Sequence, residues 1–265
     1  MVSAIIPAYN CEKYIRESVD SLLAQSFLDM EIIVVDDGST DGTNAILKQY
    51  GSRIRLFEKK NGGAASARNL GLLHAAGKYV LFLDADDYLE PSCVATAVQL
   101  AEEKKVDIVR YGYVFEFPNG VKKWEQNNFP DGLFVEKSEF PRYVYQKMLS
   151  GITFNMAARN LFRREILSGI TFREDMKTAE DAAFCIEAFT RAQSFFNLSA
   201  PFLHYRMTGE GLTGSGLCIL EKYKYNWMLS NILVKKLKAW NMDTPANRLK
   251  AYFRLVSITI EKLKR

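Results

Sequence analysis

The chain has 265 residues, 48% of them hydrophobic, which is enough for one large domain or two small ones with a full core. Its net charge of +4 is unevenly spread: residues 218–265 hold 11 Lys or Arg against 3 Asp or Glu, so that segment carries +8 and the other 217 residues −4. No stretch approaches the roughly 18 consecutive apolar residues of a membrane span, and the apolar run at residues 2–6 is too short and lacks the basic flank of a leader.

In chain order, Val2 to Ile6 reads as a short buried strand closed by Pro7, with Ala8, Tyr9 and Asn10 as the turn after it. A helix follows from about Glu12 to Phe27, with Ile15, Val19, Leu22 and Leu23 at helical spacing. Glu31 to Val35 is a second apolar strand, running into Asp36-Asp37-Gly38-Ser39-Thr40-Asp41-Gly42, a loop of capping and turn residues. Thr43 to Tyr50 is a helix and Ile54 to Phe57 a strand. Asn61-Gly62-Gly63 turns the chain into a small-residue helix, Ala64 to Ala76, which Gly77 is expected to close as a C′ glycine. Tyr79 to Leu83 is a third unalternating apolar run, tipped by Asp84, Asp86 and Asp87. Strands alternating with helices of about ten residues predict a parallel, doubly wound α/β sheet.

Beyond Pro91 a helix runs to about Lys105. Asp107 to Phe117 and Val121 to Glu125 form a hairpin around Pro118-Asn119-Gly120. Residues 126–138 read as a polar loop, Phe140 to Leu149 as a helix and Ala157 to Phe162 as a strand. A helix follows Glu180-Asp181 to Ala192, and Phe195 to Tyr205 is strand-like. Residues 207–217, with four glycines, read as a loop, and two amphipathic helices at 219–240 and 246–264 close the sequence. Cys11, Cys93, Cys185 and Cys218 show no metal-ligand spacing and read as buried or free thiols in a reducing compartment.

The acid-tipped strands carry the chemistry. In open α/β sheets ligands bind beyond the carboxyl ends of the strands, and three such loops meet there, after Ile6, Val35 and Leu83. If the chain stays extended, Asp84 and Asp86 point the same way about 7 Å apart. Carboxylates that close repel unless donors or a cation lie between them, and a hard divalent ion that also takes phosphate oxygens fits. The plainer alternative is an acidic loop capping the helix near Pro91.

Pro7-Ala8-Tyr9-Asn10, Val34-Val35-Asp36-Asp37-Gly38-Ser39-Thr40-Asp41 and Leu83-Asp84-Ala85-Asp86-Asp87, with Asn61-Gly62-Gly63, Ala67-Arg68-Asn69 and Glu180-Asp181, resemble family 2 glycosyltransferases in order and spacing over about residues 1–206. The resemblance implies a GT-A fold, a nucleotide-sugar donor, a divalent metal (Mn²⁺ or Mg²⁺) and inversion at the anomeric carbon. It places Pro7, Ala8, Tyr9 and Glu12 along the base and ribose, and has Asp37 accept from the base with Asp36 nearby. Arg68 should reach the nucleotide. Asp84 and Ala85 should face the ribose, and Asp86, with Asp84, should hold the metal. Asp181 matches the catalytic base, with Glu180 beside it. Arg206 is expected to meet phosphate when 207–217 closes. Met156-Ala157-Ala158-Arg159-Asn160 departs from the family's usual Trp and Lys, which bears on acceptor contacts and leaves the donor site intact. His204 has two readings, a third metal ligand or a buried structural histidine, and the second is favoured; His74 reads as an ordinary helix residue.

The expected organisation is a catalytic unit over 1–217, with nucleotide-sugar and acceptor halves meeting near residue 105, and a basic helical extension over 218–265. The expected partners are a nucleotide sugar and a glycan or lipid-linked acceptor, without nucleic acid. The expected location is the cytoplasm, with peripheral membrane contact through the basic helices as one reading of the tail and packing of their apolar faces on the domain as the other. Two rival functions stay open: a nucleotide-sugar-binding protein without transfer, and a nucleotidyltransferase. The second would want a glycine- and basic-rich loop after the first strand, where Pro7-Ala8-Tyr9-Asn10 stands.

Overall fold

The computed structural model describes residues 1–124, 129–151, 154, 156–208 and 218–253. The first half alternates β1 (Val2–Ala8), α1 (Ile15–Leu23), β2 (Met30–Asp36), α2 (Thr43–Lys48), β3 (Arg55–Glu58), α3 (Ala64–His74) and β4 (Tyr79–Phe82). The second half contains β5 (Tyr88–Leu89), α4 (Cys93–Glu103), β6 (Ile108–Glu116), β7 (Lys122–Trp124), β8 (Leu133–Glu136) and α5 (Gln146–Leu149). It continues through β9 (Asn160–Arg163), α6 (Glu180–Arg191), β10 (Ser194–Arg206) and α7 (Ile219–Leu237), with a further helix over 245–253.

The ten strands among the described residues join one sheet, ordered β3-β2-β1-β4-β9-β6-β10-β5, with β7 on β6 and β8 on β10. The β3-β2-β1-β4 part is parallel, as the strand–helix alternation predicts. Beyond β4 the sheet is mixed: β9 runs antiparallel between β4 and β6, and β10 returns parallel to β6. Burial on both faces explains the unalternating apolar runs. Ala4, Ile6, Val34 and Leu81 face α1 and α4, whereas Ile5, Ile33, Val80 and Phe82 face α3 and α6.

Several local expectations are corrected. Gly77 is not a C′ glycine, since α3 ends at His74 and Ala75 is already extended. It is required by a close approach instead: a Cβ there would lie 2.6 Å from the Ser3 nitrogen. The chain also turns at Asp84 rather than staying extended, because the Asp87 N–H donates back to the Asp84 carbonyl at 3.0 Å. Leu133–Glu136, within the stretch read as loop, is strand β8, which buries only Val135 fully and so carries a weak pattern. Pro141–Tyr145 is a π-helical turn feeding the short α5, and Ala157–Arg159 is a 3₁₀ turn before β9.

Helix α7 belongs to the core. Tyr225, Leu229, Leu233 and Leu237 recur every four residues, form one buried stripe, and join the cluster that holds Phe184 and Phe189 of α6. Trp240 stacks on Tyr145 at 4.1 Å between centroids and donates from Nε1 to Thr190 Oγ1 at 3.0 Å. For α7, then, the packing reading of the tail holds, although Leu220, Tyr223 and Trp227 stay exposed. Among the described residues no helix is long and apolar enough to cross a membrane. Residues 209–217 of the expected loop and 254–264 of the expected last helix lie outside the described residues.

Candidate active site

The carboxyl ends of β1, β2 and β4 converge as the strand-end argument requires, and hydrogen bonds lock the first two loops together. The Asp37 N–H donates to the Ala8 carbonyl at 2.8 Å, just beyond Pro7. Asn10, in the left-handed region at φ 47°, accepts from the Thr40 N–H at 2.8 Å, and Glu12 Oε2 accepts from the Gly42 N–H at 2.6 Å. Tyr9 is half exposed at the mouth.

Asp36 and Asp37 are both buried and fully engaged. Asp36 accepts from the Ser39 N–H at 3.0 Å and from Asn44 Nδ2 at 2.7 Å. Asp37 accepts from Lys59 Nζ at 2.5 Å and from the Gly62 and Gly63 N–H groups at 3.0 and 2.7 Å. Gly63, at φ 91°, is what lets that turn present consecutive amides. In this structure Asp37 thus organises the turn that starts α3. Lys59 and Asn44 were not singled out from sequence; only their nearness to the acid pair hinted at them. A cavity of about 510 Å³ lies against this loop, lined by Asp36, Ser39, Asn44 and Lys59 among others.

At the end of β4, Ala85 is buried while Asp84 and Asp86 are half-buried. Burial, together with the neighbouring Asp84 charge, pushes the Asp86 carboxyl up to about 6. Asp87 is fully buried, and burial followed by the charges of Asp84 and Asp86 holds it well above the usual carboxylate range. One Asp87 oxygen accepts from the Arg206 N–H at 2.9 Å, and the other has no hydrogen-bond partner. The motif therefore has more negative charge than donors to meet it, which suits a divalent cation. Among the described residues no group of three His, Cys, Asp or Glu side chains forms a ready cage, so Asp86 and Asp84 would hold such an ion together with substrate oxygens and water.

Arg68, on α3, lies buried between this motif and the first turn of α6. Its Nη2 is 2.7 Å from Asp84 Oδ1, and its Nη1 is 3.0 Å from Glu180 Oε1 and 3.2 Å from Asp181 Oδ1. Burial alone would lower its pKa, but Asp181, Asp84 and Glu180 outweigh that and raise it. Asp181 is pushed up to about 7: burial raises it most, Arg68 opposes, and Glu180 and Asp84 add to the rise. Its Oδ2 accepts from the Ala157 N–H at 3.1 Å. Asp181 thus sits at a helix N-terminus with a pKa near neutrality, as a general base requires. The guanidinium expected to reach the nucleotide is instead committed to three protein carboxylates.

Arg206 is held between the rings of Tyr14 and Tyr88, at 5.5 and 4.9 Å, and pairs with Glu17. His204, two residues earlier on β10, stacks on Tyr88. Its Nδ1 lies 2.8 Å from Glu116 Oε1 and its Nε2 2.7 Å from Glu90 Oε1. Both ring nitrogens face carboxylates, so the structural reading of His204 is the one the geometry supports. His74 stacks on Phe57 at 4.1 Å and stands apart from these groups, as an ordinary helix residue would.

The comparisons with known proteins agree with this architecture. A family model described as glycosyl transferase family 2 matches residues 3–171. EpsJ of Bacillus subtilis, described as an uncharacterized glycosyltransferase, is 33% identical over 218 residues, covering 80% of this chain and 63% of that protein. TarS of Staphylococcus aureus, a poly(ribitol-phosphate) beta-N-acetylglucosaminyltransferase, is 31% identical over 79% of this chain and 36% of its own length. The chain thus spans under two thirds of either relative. The crystal structure of TarS residues 1–349 with UDP-GlcNAc superposes with a TM-score of 0.78 at 26% identity, covering 95% of this chain and 72% of that one. A mannosyltransferase from Pyrobaculum calidifontis, solved with GDP-Man and Mn²⁺, shares the fold at a TM-score of 0.59, with 18% identity over 98% of this chain and 75% of its own. With the family match spanning most of the chain and the strand-end acids in one site, the sheet is that of a GT-A fold and the chain belongs to glycosyl transferase family 2.

Proposed function

We propose that this protein transfers a sugar from a UDP-sugar to a hydroxyl of a glycan or lipid-linked acceptor, with inversion, in the synthesis of a surface polysaccharide. The observation that carries the reading is the joining of donor motif and candidate base through one guanidinium, 2.7 Å from Asp84 and 3.2 Å from Asp181. Asp181 takes the proton of the acceptor hydroxyl as that oxygen attacks the anomeric carbon, with Glu180 beside it. One displacement inverts the configuration, and no second carboxylate nucleophile is needed, unlike a retaining glycosidase. Pro7, Ala8, Tyr9 and Glu12 border the base and ribose, on the loops that Asp36 and Asp37 hold in shape. Arg206 faces the diphosphate from β10. Asp86 and Asp84 would hold a divalent ion, which would neutralise the charge of the leaving nucleoside diphosphate. The UDP-GlcNAc in TarS supports a uridine donor.

The test is a panel of nucleotide sugars, scored by melting shift with and without Mn²⁺ and then by released UDP. A ligand at about 100 times its dissociation constant adds roughly 2.7 kcal/mol to stability. Release of UDP from one UDP-sugar in the presence of an acceptor supports transfer. Binding without turnover supports a binding module, and pyrophosphate released from UTP supports a nucleotidyltransferase.

Peripheral membrane contact is a further part of the proposal, supported by the exposed Leu220, Tyr223 and Trp227 beside a basic tail. Co-sedimentation of the whole protein with phosphatidylglycerol vesicles, against a Tyr223→Ser/Trp227→Ser variant, tests it. Equal binding by both, or none at low salt, removes it.

A further inference from the structure

We propose that Arg68 is a positioning residue for Asp181: it fixes the first turn of α6 against the end of β4, so that the base and the donor motif keep one register. The inference rests on the function proposed above and reassigns Arg68 from nucleotide contact to alignment of the base.

Three observations support it. First, the guanidinium is buried and its two terminal nitrogens are engaged: Nη2 donates to Asp84, Nη1 donates to Glu180 and lies within ion-pair reach of Asp181, while Nε has no hydrogen-bond partner. Its planar fork can reach two elements at once, which an ammonium cannot. Secondly, the next residue repeats the attachment. Asn69 accepts from the Phe172 N–H at 2.7 Å and donates from Nδ2 to the Phe172 carbonyl at 3.0 Å, as a strand neighbour would. The Phe172 ring lies 5.3 Å from the Arg68 guanidinium carbon and stacks on Phe184 of α6 at 4.0 Å. Arg68 and Asn69 together thus tie the segment entering α6 onto α3. Thirdly, the helix entry is strained. Ala179 sits in the left-handed region at φ 65° and ψ 11°, which a non-glycine residue adopts only when its surroundings impose it. That twist turns Glu180 and Asp181 together toward Arg68.

Electrostatics follow from the same contacts. The charged and polar groups around Asp181 are Arg68 from α3, Asp84 from the end of β4, Glu180 on its own helix and the Ala157 N–H, with Cys185 one turn along α6. Arg110 also acts on Cys185, but Arg68 is the cation whose charge opposes the rise of Asp181, so its removal leaves the base harder to deprotonate.

The experiment compares the full chain with Arg68→Met and Arg68→Lys. Hydrogen exchange is followed over residues 180–185, melting shifts are recorded with UDP and Mn²⁺, and UDP release from UDP-GlcNAc is measured against pH. In Arg68→Met, exchange at 180–185 should rise about tenfold or more while the β1–β2 amides keep their protection. The UDP and Mn²⁺ shift should be kept, and the half-maximal pH of turnover should move up by about one unit. Arg68→Lys, which keeps the charge and loses the fork, should restore the pH midpoint in part and leave α6 loosened. Loss of the UDP shift with unchanged exchange at 180–185 would make Arg68 a nucleotide ligand and overturn the inference. A uniform loss of protection across the sheet in both variants would make it merely structural and overturn it equally. If the unmodified protein shows no UDP-dependent shift, the proposed function fails, and the exchange pattern still decides the role of Arg68.

Discussion

The carboxylate of Asp87 accepts a hydrogen bond from the backbone N–H of Arg206 at 2.9 Å, joining the end of the acid motif to the end of β10 across 119 residues of sequence. Asp87 therefore acts as a clasp, although it stands next to Asp86 in the chain. Its replacement by Ala leaves the part-buried Arg206 N–H without that partner and should lower stability by about 1 kcal/mol, read from the denaturation midpoint. Asp87→Asn keeps an acceptor and sheds a charge that burial disfavours, so it should cost far less. Equal losses for the two variants would exclude the clasp.

Asp86 should behave differently. It is half-buried at a turn and repelled by its neighbour, so its charged form costs stability, and Asp86→Ala should match or exceed the wild-type melting temperature at neutral pH without ligands. The extra melting shift that Mn²⁺ gives in the presence of UDP should disappear. A full Mn²⁺ response in the variant would assign the metal elsewhere.

Asp181→Asn should leave UDP binding intact and slow transfer by about 10²-fold or more, the scale of a lost general base. Because the Asp181 carboxyl is pushed up to about 7, the velocity of the unmodified enzyme should climb with pH through that value. A flat profile between pH 6 and about 8 would deny Asp181 the proton.

The same carboxyls govern metal-free stability. Asp86 and Asp181 have folded-state values of about 6 and about 7, above the roughly 3.9 of an unfolded Asp. Between those limits these two groups hold more protons in the folded protein than in the unfolded chain, so their contribution to stability falls as pH rises from about 5 to about 7. Glu116, held down to about 2 by Lys122, Tyr88 and His204 against the opposing effect of burial, contributes fully throughout that window and adds no slope. Lys137, lowered to about 8 by burial, acts only above it. Thermal melts in EDTA across this range test the sign, and Asp181→Asn should flatten the curve.

Trp240→Ala should cost about 3–5 kcal/mol, since it empties a buried indole site stacked on Tyr145 and orphans its hydrogen bond to Thr190. A loss below about 1 kcal/mol would mean that the region after α7 is only loosely attached.

The sequence was most legible where local pattern and global burial agree. Apolar runs such as Ile32 to Val35 announce strands covered on both faces, and the acids after them mark the ligand edge. It was least legible where long-range contacts overrode local rules. Gly77 looked like a helix cap, yet its small size answers to Ser3, 74 residues earlier. Asp37 looked free to meet a ligand, but Lys59 and the Gly62 and Gly63 amides surround it. The three partners of Arg68 and the left-handed Ala179 have no signature in any short window, because each depends on chain segments that meet only after folding.

Strand β9 carries one last consequence, which concerns synthesis. β4 is wholly buried and apolar, and its free edge is covered by Asn160–Arg163, about 80 residues further along. At about 5–20 residues per second, a growing chain holds that edge open for roughly 4–16 seconds after β1, β2 and β4 have emerged. During that interval the nascent protein offers an unpaired hydrophobic strand, the kind of template on which chains pair wrongly. Slow decoding between residues 83 and 160 should therefore lower the soluble yield more than the same delay placed after residue 163.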